Sequence, residues 1–264
     1  MESFIELRKY LKKETNSLKE VKIAILSDNA SEFISDSLKA YGIKESINLK
    51  IYRSDFNQID INILVEESNL YKFCPDFVYL NFSTQKILSD FYKTSLEKRS
   101  NFHQTFILHI EYLLKFLLKI AQVKIILNNF NEINDQVFGN YSNKTSNSFL
   151  YQLRKINILL MEISQRKNDI YIVDFLSLQT KLGNENVVSN NLYLSTDMAY
   201  NVDFLPYLSK NIIDIILSNL GYSNKCIILD LDDTLWGGVI GDDGIDISIL
   251  MLTATVKNIE EGMT

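Results

Sequence analysis

The stretch VKIAILSDNASEFISDSLKAYG, residues Val21–Gly42, contains the unit from which the fold can be predicted. Its first six residues, Val21–Leu26, have the apolar and β-branched character of a buried strand. The strand pattern ends at the polar triplet Ser27-Asp28-Asn29. Ala30–Tyr41 then repeats apolar residues at helical spacing, and the following glycine is a helix stop. The stretch therefore predicts a strand, a polar turn and a helix.

The same alternation continues along the chain. Further strands are predicted at Asn48–Tyr52, Phe77–Leu80, Val123–Leu127, Ile170–Val173 and Cys226–Leu229. Helices are predicted at Ile59–Leu70, within Ser95–Gln122, at Phe149–Gln165 and at Asp203–Leu220. Strands that are apolar on both faces and alternate with helices indicate an α/β, three-layer sandwich with a parallel sheet. Ligands of such folds bind beyond the carboxyl ends of the strands.

Composition restricts the class of protein. The chain is 46% hydrophobic and 23% charged, which is ordinary for a globular protein, and its net charge of −6 argues against general nucleic-acid binding. Two cysteines are too few for a disulfide framework. The sequence has no signal-peptide pattern and no apolar run of membrane-spanning length. We therefore expect a cytoplasmic protein that binds neither nucleic acid nor membrane, and the sequence leaves its oligomeric state open.

A motif for phosphoryl transfer follows the last predicted strand. Asp230 comes directly after the apolar residues CIIL, Asp232 is two positions further, and Thr234 completes D-x-D-x-T. In such a pair one aspartate can attack phosphorus, while the other protonates the leaving oxygen and then activates water. Mg²⁺ between carboxylate and phosphate would reduce their repulsion. Thr234 and the loop amides can hold the phosphate oxygens.

The run DLDDTLWGGVIGDDG, which starts at Asp230, resembles the haloacid dehalogenase (HAD) superfamily, and specifically its FkbH-like branch. The resemblance implies that Asp230 is the nucleophile and Asp232 the general acid and base. It also implies Mg²⁺ held by the Asp230 carboxylate and the Asp232 backbone carbonyl. The family's later Ser/Thr, lysine and acidic metal ligands are not recognised in Asp246–Thr264. We therefore expect residues 222–264 to be a truncated start of the phosphatase domain, inactive by itself.

The N-terminal region resembles the SGNH-hydrolase-like domain of FkbH-like proteins. Ile51–Leu80 and Leu192–Ile213 carry this resemblance, which predicts a flavodoxin/SGNH-hydrolase-like sheet in residues 21–221 after a helical lead-in over residues 1–20. The family's catalytic serine, usually in Gly-Asp-Ser, is replaced by Asn29 in Ser27-Asp28-Asn29. The closing Asp-x-x-His motif lacks its histidine after Asp197. Asn81 matches a family asparagine that donates to an oxyanion, although turn or capping roles fit Ser27, Asp28 and Asn81 equally well.

Two functions follow from these resemblances. The first is the N-terminal part of a Mg²⁺-dependent phosphatase of a biosynthetic pathway, which would take a phosphorylated small molecule and pass its acyl group to an acyl carrier protein. The alternative is that the SGNH-like domain is a non-catalytic docking module for a carrier protein or a carbohydrate. A third possibility, an active SGNH esterase, requires a histidine that the closing segment lacks.

Overall fold

The computed structural model describes residues 2–120, 122–133 and 135–222 of the chain. Strands in that part of the chain are β1 (Lys19–Ser27), β2 (Ile47–Arg53), β3 (Phe77–Asn81), β4 (Lys124–Asn128) and β5 (Ile170–Val173). They form one parallel sheet in the order β2-β1-β3-β4-β5. This is the strand order of flavodoxin-like folds. The predicted α/β class and parallel sheet are confirmed, whereas the predicted strand Cys226–Leu229 lies outside the described residues.

Helices connect successive strands and cover the sheet. The α-helices are α1 (Phe4–Leu7), α2 (Glu32–Lys44), α3 (Ile59–Leu64), α4 (Asn69–Phe73), α5 (Thr84–Lys93), α6 (Phe102–Leu117), α7 (Phe149–Arg166), α8 (Phe175–Leu182), α9 (Asn184–Val187), α10 (Asn190–Thr196) and α11 (Leu205–Asn219). Short 3₁₀ helices span Arg8–Lys12, Leu96–Asn101, Gly139–Lys144 and Val202–Phe204. No helix in the described ranges has the length and apolar character needed to cross a bilayer.

Two hydrophobic cores lie on opposite faces of the sheet. Alternate residues of β1 belong to different cores. Ile23 and Ile25 pack in the core formed with α2 and α11, whereas Ala24 and Leu26 pack in the core formed with α6 and α7. The period of two along the strand is what allows one strand to supply both cores. This arrangement is the three-layer sandwich that the sequence predicts.

Two helix boundaries differ from the prediction. Gly42, predicted to stop the helix after Tyr41, lies inside α2, which continues to Lys44. A Cβ at this position would lie 3.2 Å from the Ile47 carbonyl oxygen, so the glycine permits close packing of α2 on β2.

The predicted helix Ile59–Leu70 is two helices, α3 and α4, separated at Val65–Ser68. The Ser68 hydroxyl donates to the carbonyl of Asn62 at 2.6 Å. A side chain that bonds locally to a backbone carbonyl competes with continuation of the helix, and this explains the break.

Candidate functional site

Polar side chains meet where β1 and β3 end. The parallel register places Ser27 beside Asn81, and the Asn81 Nδ2 donates to the Ser27 Oγ at 2.9 Å. The Ser27 hydroxyl donates to the carbonyl of Asn29 at 2.8 Å and accepts from the Asn29 backbone N–H at 3.2 Å. Its single proton and both lone pairs are therefore engaged. Ser27 is 2% exposed, so this hydroxyl is a structural hydrogen-bonding group.

The other end of the Asn81 amide binds two tyrosines. Its Oδ1 accepts from the Tyr79 hydroxyl at 3.1 Å and from the Tyr200 hydroxyl at 2.9 Å. Both tyrosines are buried, and burial raises the pKa of each phenol well above its ordinary value. The phenols are therefore neutral donors, and we refer to Ser27, Tyr79, Asn81 and Tyr200 as the polar network.

Tyr200 occupies the position that a histidine would take in the closing motif. In Asp-x-x-His the base follows the aspartate by three residues, and here Asp197 is followed at that spacing by Tyr200. Asp197 is exposed and has a left-handed backbone with φ of 55°. Its backbone carbonyl accepts from the N–H of Ala30 at 2.9 Å. The residues corresponding to nucleophile and base are thus an asparagine, Asn29, and a buried neutral phenol.

Asp28 connects the turn after β1 to the start of α5. Each of its carboxylate oxygens lies 3.0 Å from the backbone nitrogen of Ser83, and its Oδ1 also accepts from the Asn29 Nδ2 at 3.0 Å. Burial raises the pKa of Asp28 to about 6, although these hydrogen bonds and nearby Lys86 favour the ionised form. The carboxylate occupies the beginning of α5, where an external anion would otherwise be favoured.

Replacing Asp28 with asparagine is expected to flatten the pH dependence of stability. A folded-state pKa of about 6 against an ordinary value of 3.8 means that the folded chain binds the proton more tightly. The stabilising contribution of protonation is complete below the unfolded value and is lost as pH rises through about 6. A shift of this size corresponds to about 3 kcal/mol.

Urea unfolding of both proteins between about pH 4 and pH 7 measures this effect, since other groups titrate alike in the two chains. The free energy of unfolding of the wild type should fall relative to that of Asp28→Asn across the range. Parallel curves would contradict a buried, ionisable Asp28.

A cavity of about 320 Å³ lies beside Asn29. It is bordered by the turn after β1, the segment after β2 and the end of α10, and its lining residues are Asn29–Glu32, Arg53–Phe56, Thr196 and Asp197. A larger groove of about 640 Å³ lies between α6 and α7 and includes Ile170, the first residue of β5. That groove is at the amino end of the strands, away from the polar network.

The phosphoryl-transfer residues predicted from sequence, Asp230, Asp232 and Thr234, lie outside the described residues. Within residues 2–120, 122–133 and 135–222, no group of three or more His, Cys, Asp or Glu side chains is arranged to hold a metal ion. Of the predicted SGNH-like residues, the structure brings Ser27, Asn29 and Asn81 together and places Asp28 beside them. Sequence reasoning missed Tyr200 and Tyr79, although the Asp-x-x-His spacing gave a signal for Tyr200.

Comparison with known proteins places this site in context. Residues 22–217 match the family model described as FkbH, N-terminal domain. The structure aligns with the N-terminal part of the protein BF1531 from Bacteroides fragilis, described as containing a phosphatase domain and complexed with Mg. The TM-score is 0.84 at 31% identity, covering 99% of this chain and 69% of that one.

More distant structures share the fold alone. A lipase from a goat rumen metagenome has a TM-score of 0.51 at 13% identity, covering 74% of this chain and 96% of that one. A gut microbial diltiazem-metabolizing enzyme has a TM-score of 0.51 at 12% identity, covering 79% and 48% respectively. No curated protein matches the chain.

Proposed function

The chain belongs to the FkbH N-terminal domain family, and from this premise we propose that it is the N-terminal part of a Mg²⁺-dependent HAD-type phosphatase. The observation that carries the proposal is D-x-D-x-T at Asp230, Asp232 and Thr234, directly after an apolar run. The Bacteroides relative supports it, because its description names a phosphatase domain and Mg, and the alignment covers 99% of this chain.

The proposed chemistry assigns one role to each residue of the motif. Asp230 attacks phosphorus and forms an acyl-phosphate, and Asp232 protonates the oxygen of the leaving group and later deprotonates the attacking water. Thr234 positions the phosphate oxygens. Carboxylate and carbonyl oxygens suit Mg²⁺, and Asp230 and Asp232 would supply them. When bound, the ion reduces the repulsion between carboxylate and phosphate.

Substrate and partner are part of the same proposal. A phosphorylated small molecule would be the substrate. In a step separate from the attack of Asp230 on phosphorus, the thiol of an acyl carrier protein would form a thioester with the acyl carbon while the bond from that carbon to the phosphate oxygen breaks and phosphate leaves, as the resemblance to FkbH-like biosynthetic proteins implies. We expect the 264 residues by themselves to be inactive as a phosphatase, because the family's later motifs are not recognised in Asp246–Thr264. The test is Mg²⁺-dependent phosphate release by the product of the complete gene, compared with its Asp230→Asn variant.

We propose a second function, compatible with the first, in which the SGNH-like domain is a non-hydrolytic binding module. The supporting observation is the Ser27 hydroxyl, whose proton and lone pairs are all engaged and which hydrogen-bonds to no basic side chain among the residues that the structure describes. A serine acts as a nucleophile when an adjacent base accepts its proton. Tyr200 cannot act as that base, because its buried phenol is neutral and donates to Asn81.

A fluorophosphonate probe tests this role on the 264-residue chain. We expect no covalent labelling and no hydrolysis of p-nitrophenyl acetate above the buffer rate, because Ser27 is engaged and Asn29 replaces the nucleophile. Intact-mass spectrometry detects any adduct, and Ser27→Ala and Ser31→Ala variants identify its position. An adduct that either substitution removes would exclude the non-hydrolytic role.

A further inference from the structure

A second cavity at the carboxyl end of the sheet lies between α3, α5 and α6. Its volume is about 440 Å³, within the range of roughly 300–1,000 Å³ for small-molecule sites. Asp28, which follows β1, and Phe82, which follows β3, both line it. The helix after β1 packs on one face of the sheet, and the helices after β3 pack on the other. Strands whose connections diverge in this way form the switch point where ligands of such sheets bind.

Five apolar side chains line this cavity, namely Ile59, Ile61, Phe82, Ile87 and Phe106. Ile59 and Ile87 are buried and belong to the hydrophobic core on this face of the sheet. Phe82 and Phe106 are partly buried, with their rings edge to face and 6.1 Å apart. Ile61 is 60% exposed. These last three residues therefore present apolar surface that a ligand can reach and remove from water.

The two half-exposed carboxylates of the lining have basic partners. Asp60 Oδ1 lies 3.3 Å from His109 Nε2, and Asp90 Oδ1 lies 3.3 Å from Lys93 Nζ. Each of these carboxylate side chains is 50% exposed, so water also solvates its charge. The partners and the solvent together reduce the attraction of either carboxylate for a cationic ligand.

The buried carboxylate of the lining is also satisfied within the protein. Asp28 accepts from the backbone nitrogen of Ser83 and from the Asn29 Nδ2, and the positive charge of Lys86 favours its ionised form. Lys86 lines the cavity too, and the nearby carboxylate balances its charge. Asp28 is 6% exposed, so we assign it no contact with a ligand. The charged groups of the lining therefore require no charged ligand, whereas its apolar surface remains open to one.

We propose that this cavity binds an uncharged molecule through its alkyl chain. The inference rests on the proposed role of the domain as a non-hydrolytic binding module. A charged group would lose hydration beside Ile61, Phe82 and Phe106 without gaining a counter-charge, because those of the lining are already paired. An alkyl chain has no such hydration to lose, and its contact with these side chains removes apolar surface from water.

Methyl NMR of the 264-residue chain, labelled at the isoleucine δ1 methyl groups, tests this inference. The probes are butan-1-ol, hexan-1-ol, hexanoate and hexylammonium, which vary chain length and head-group charge separately. Hexan-1-ol should shift the methyl signals of Ile59, Ile61 and Ile87 and leave that of Ile158, which does not line the cavity, in place. It should bind about fifteenfold more tightly than butan-1-ol, at roughly 0.8 kcal/mol for each buried CH₂. It should also bind at least about threefold more tightly than hexanoate or hexylammonium.

Ile61→Asn supplies the decisive variant. Ile61 is an exposed residue of α3, so its substitution alters the cavity without disturbing the core. It should weaken hexan-1-ol binding about threefold or more, because a polar amide replaces apolar contact surface. Ile158→Asn is the matched control, because Ile158 is also an exposed helical isoleucine, at 52%, and does not line the cavity. This control should leave hexan-1-ol binding unchanged.

Several outcomes would overturn the inference. They are the absence of shifts at the three cavity isoleucines, shifts instead at Ile163 and Ile170 of the groove between α6 and α7, tighter binding of hexanoate or hexylammonium than of hexan-1-ol, and equal effects of Ile61→Asn and Ile158→Asn. Each leaves the non-hydrolytic role intact as long as the fluorophosphonate probe does not label the chain. Labelling at Ser27 or Ser31 would instead remove the premise on which the inference rests.

Discussion

Asp230→Asn is expected to abolish Mg²⁺-dependent phosphate release by the product of the complete gene, with a loss of at least about 10³-fold. An amide cannot attack phosphorus as a carboxylate does, and the substitution also removes the charge proposed to hold Mg²⁺. Asp232→Asn should cost roughly 10²–10⁴-fold, the usual contribution of a general acid and base. Phosphate release from acetyl phosphate and p-nitrophenyl phosphate, with and without EDTA, measures both effects.

Asp203→Asn is the matched control for charge. Asp203 is exposed in the 3₁₀ helix Val202–Phe204, so its loss removes one carboxylate without touching the motif. This variant should keep wild-type activity. Full activity in Asp230→Asn would show that the nucleophile is assigned wrongly. Absence of metal-dependent phosphate release from the unmodified complete protein would refute the phosphatase proposal itself.

The strands were predictable because each is a short apolar run bounded by polar residues. The resulting parallel sheet also predicted that Ser27 and Asn81 would lie at the same edge, and the register confirms that they are neighbours. The helix α5 was not predicted. Its buried residues Ile87 and Phe91 are spaced for a helix, but charged and polar residues interrupt the pattern over a short length.

The hydrogen bonds within the site were less predictable, because they join residues that are distant in sequence. The Tyr200 hydroxyl reaches Asn81 across 119 residues. The sequence showed that the closing motif lacks its histidine, but it could not show what the replacement tyrosine bonds to. The Oδ1 of Asn29 and the Oγ of Ser54 are buried and have no hydrogen-bond partner within the described ranges. The sequence could not predict this either, since an atom without a partner is recognised only once its surroundings are known.

Asn81→Ala is expected to destabilise the domain by about 3 kcal/mol, because each buried polar group left without a partner costs roughly 1–3 kcal/mol. Asn81 is 0% exposed and serves three side chains of the polar network. Truncation would leave the hydroxyls of Tyr79 and Tyr200 without their acceptor and remove a donor from Ser27. The free energy of unfolding in urea measures this loss.

Asn128→Ala separates this effect from the loss of side-chain volume. Asn128 is a buried asparagine at the end of β4, and its Nδ2 donates to two backbone carbonyls. Its truncation removes a donor from each of these carbonyls, but the Phe82 carbonyl keeps the Tyr200 hydroxyl at 3.5 Å. Truncation also removes the Asn128 Oδ1, which is buried without a partner among the described residues, and it leaves no hydroxyl without an acceptor, so we expect a smaller cost of about 1 kcal/mol. In the Tyr79→Phe/Tyr200→Phe double variant, Asn81→Ala should also lower the free energy of unfolding by less, because the two hydroxyls that would lose their acceptor are absent. Equal costs for the two asparagines would contradict the structural role of the polar network. The expected difference would instead mean that the polar network has a structural role that needs no hydrolytic chemistry. It holds β1, β3 and the segment before α11 together.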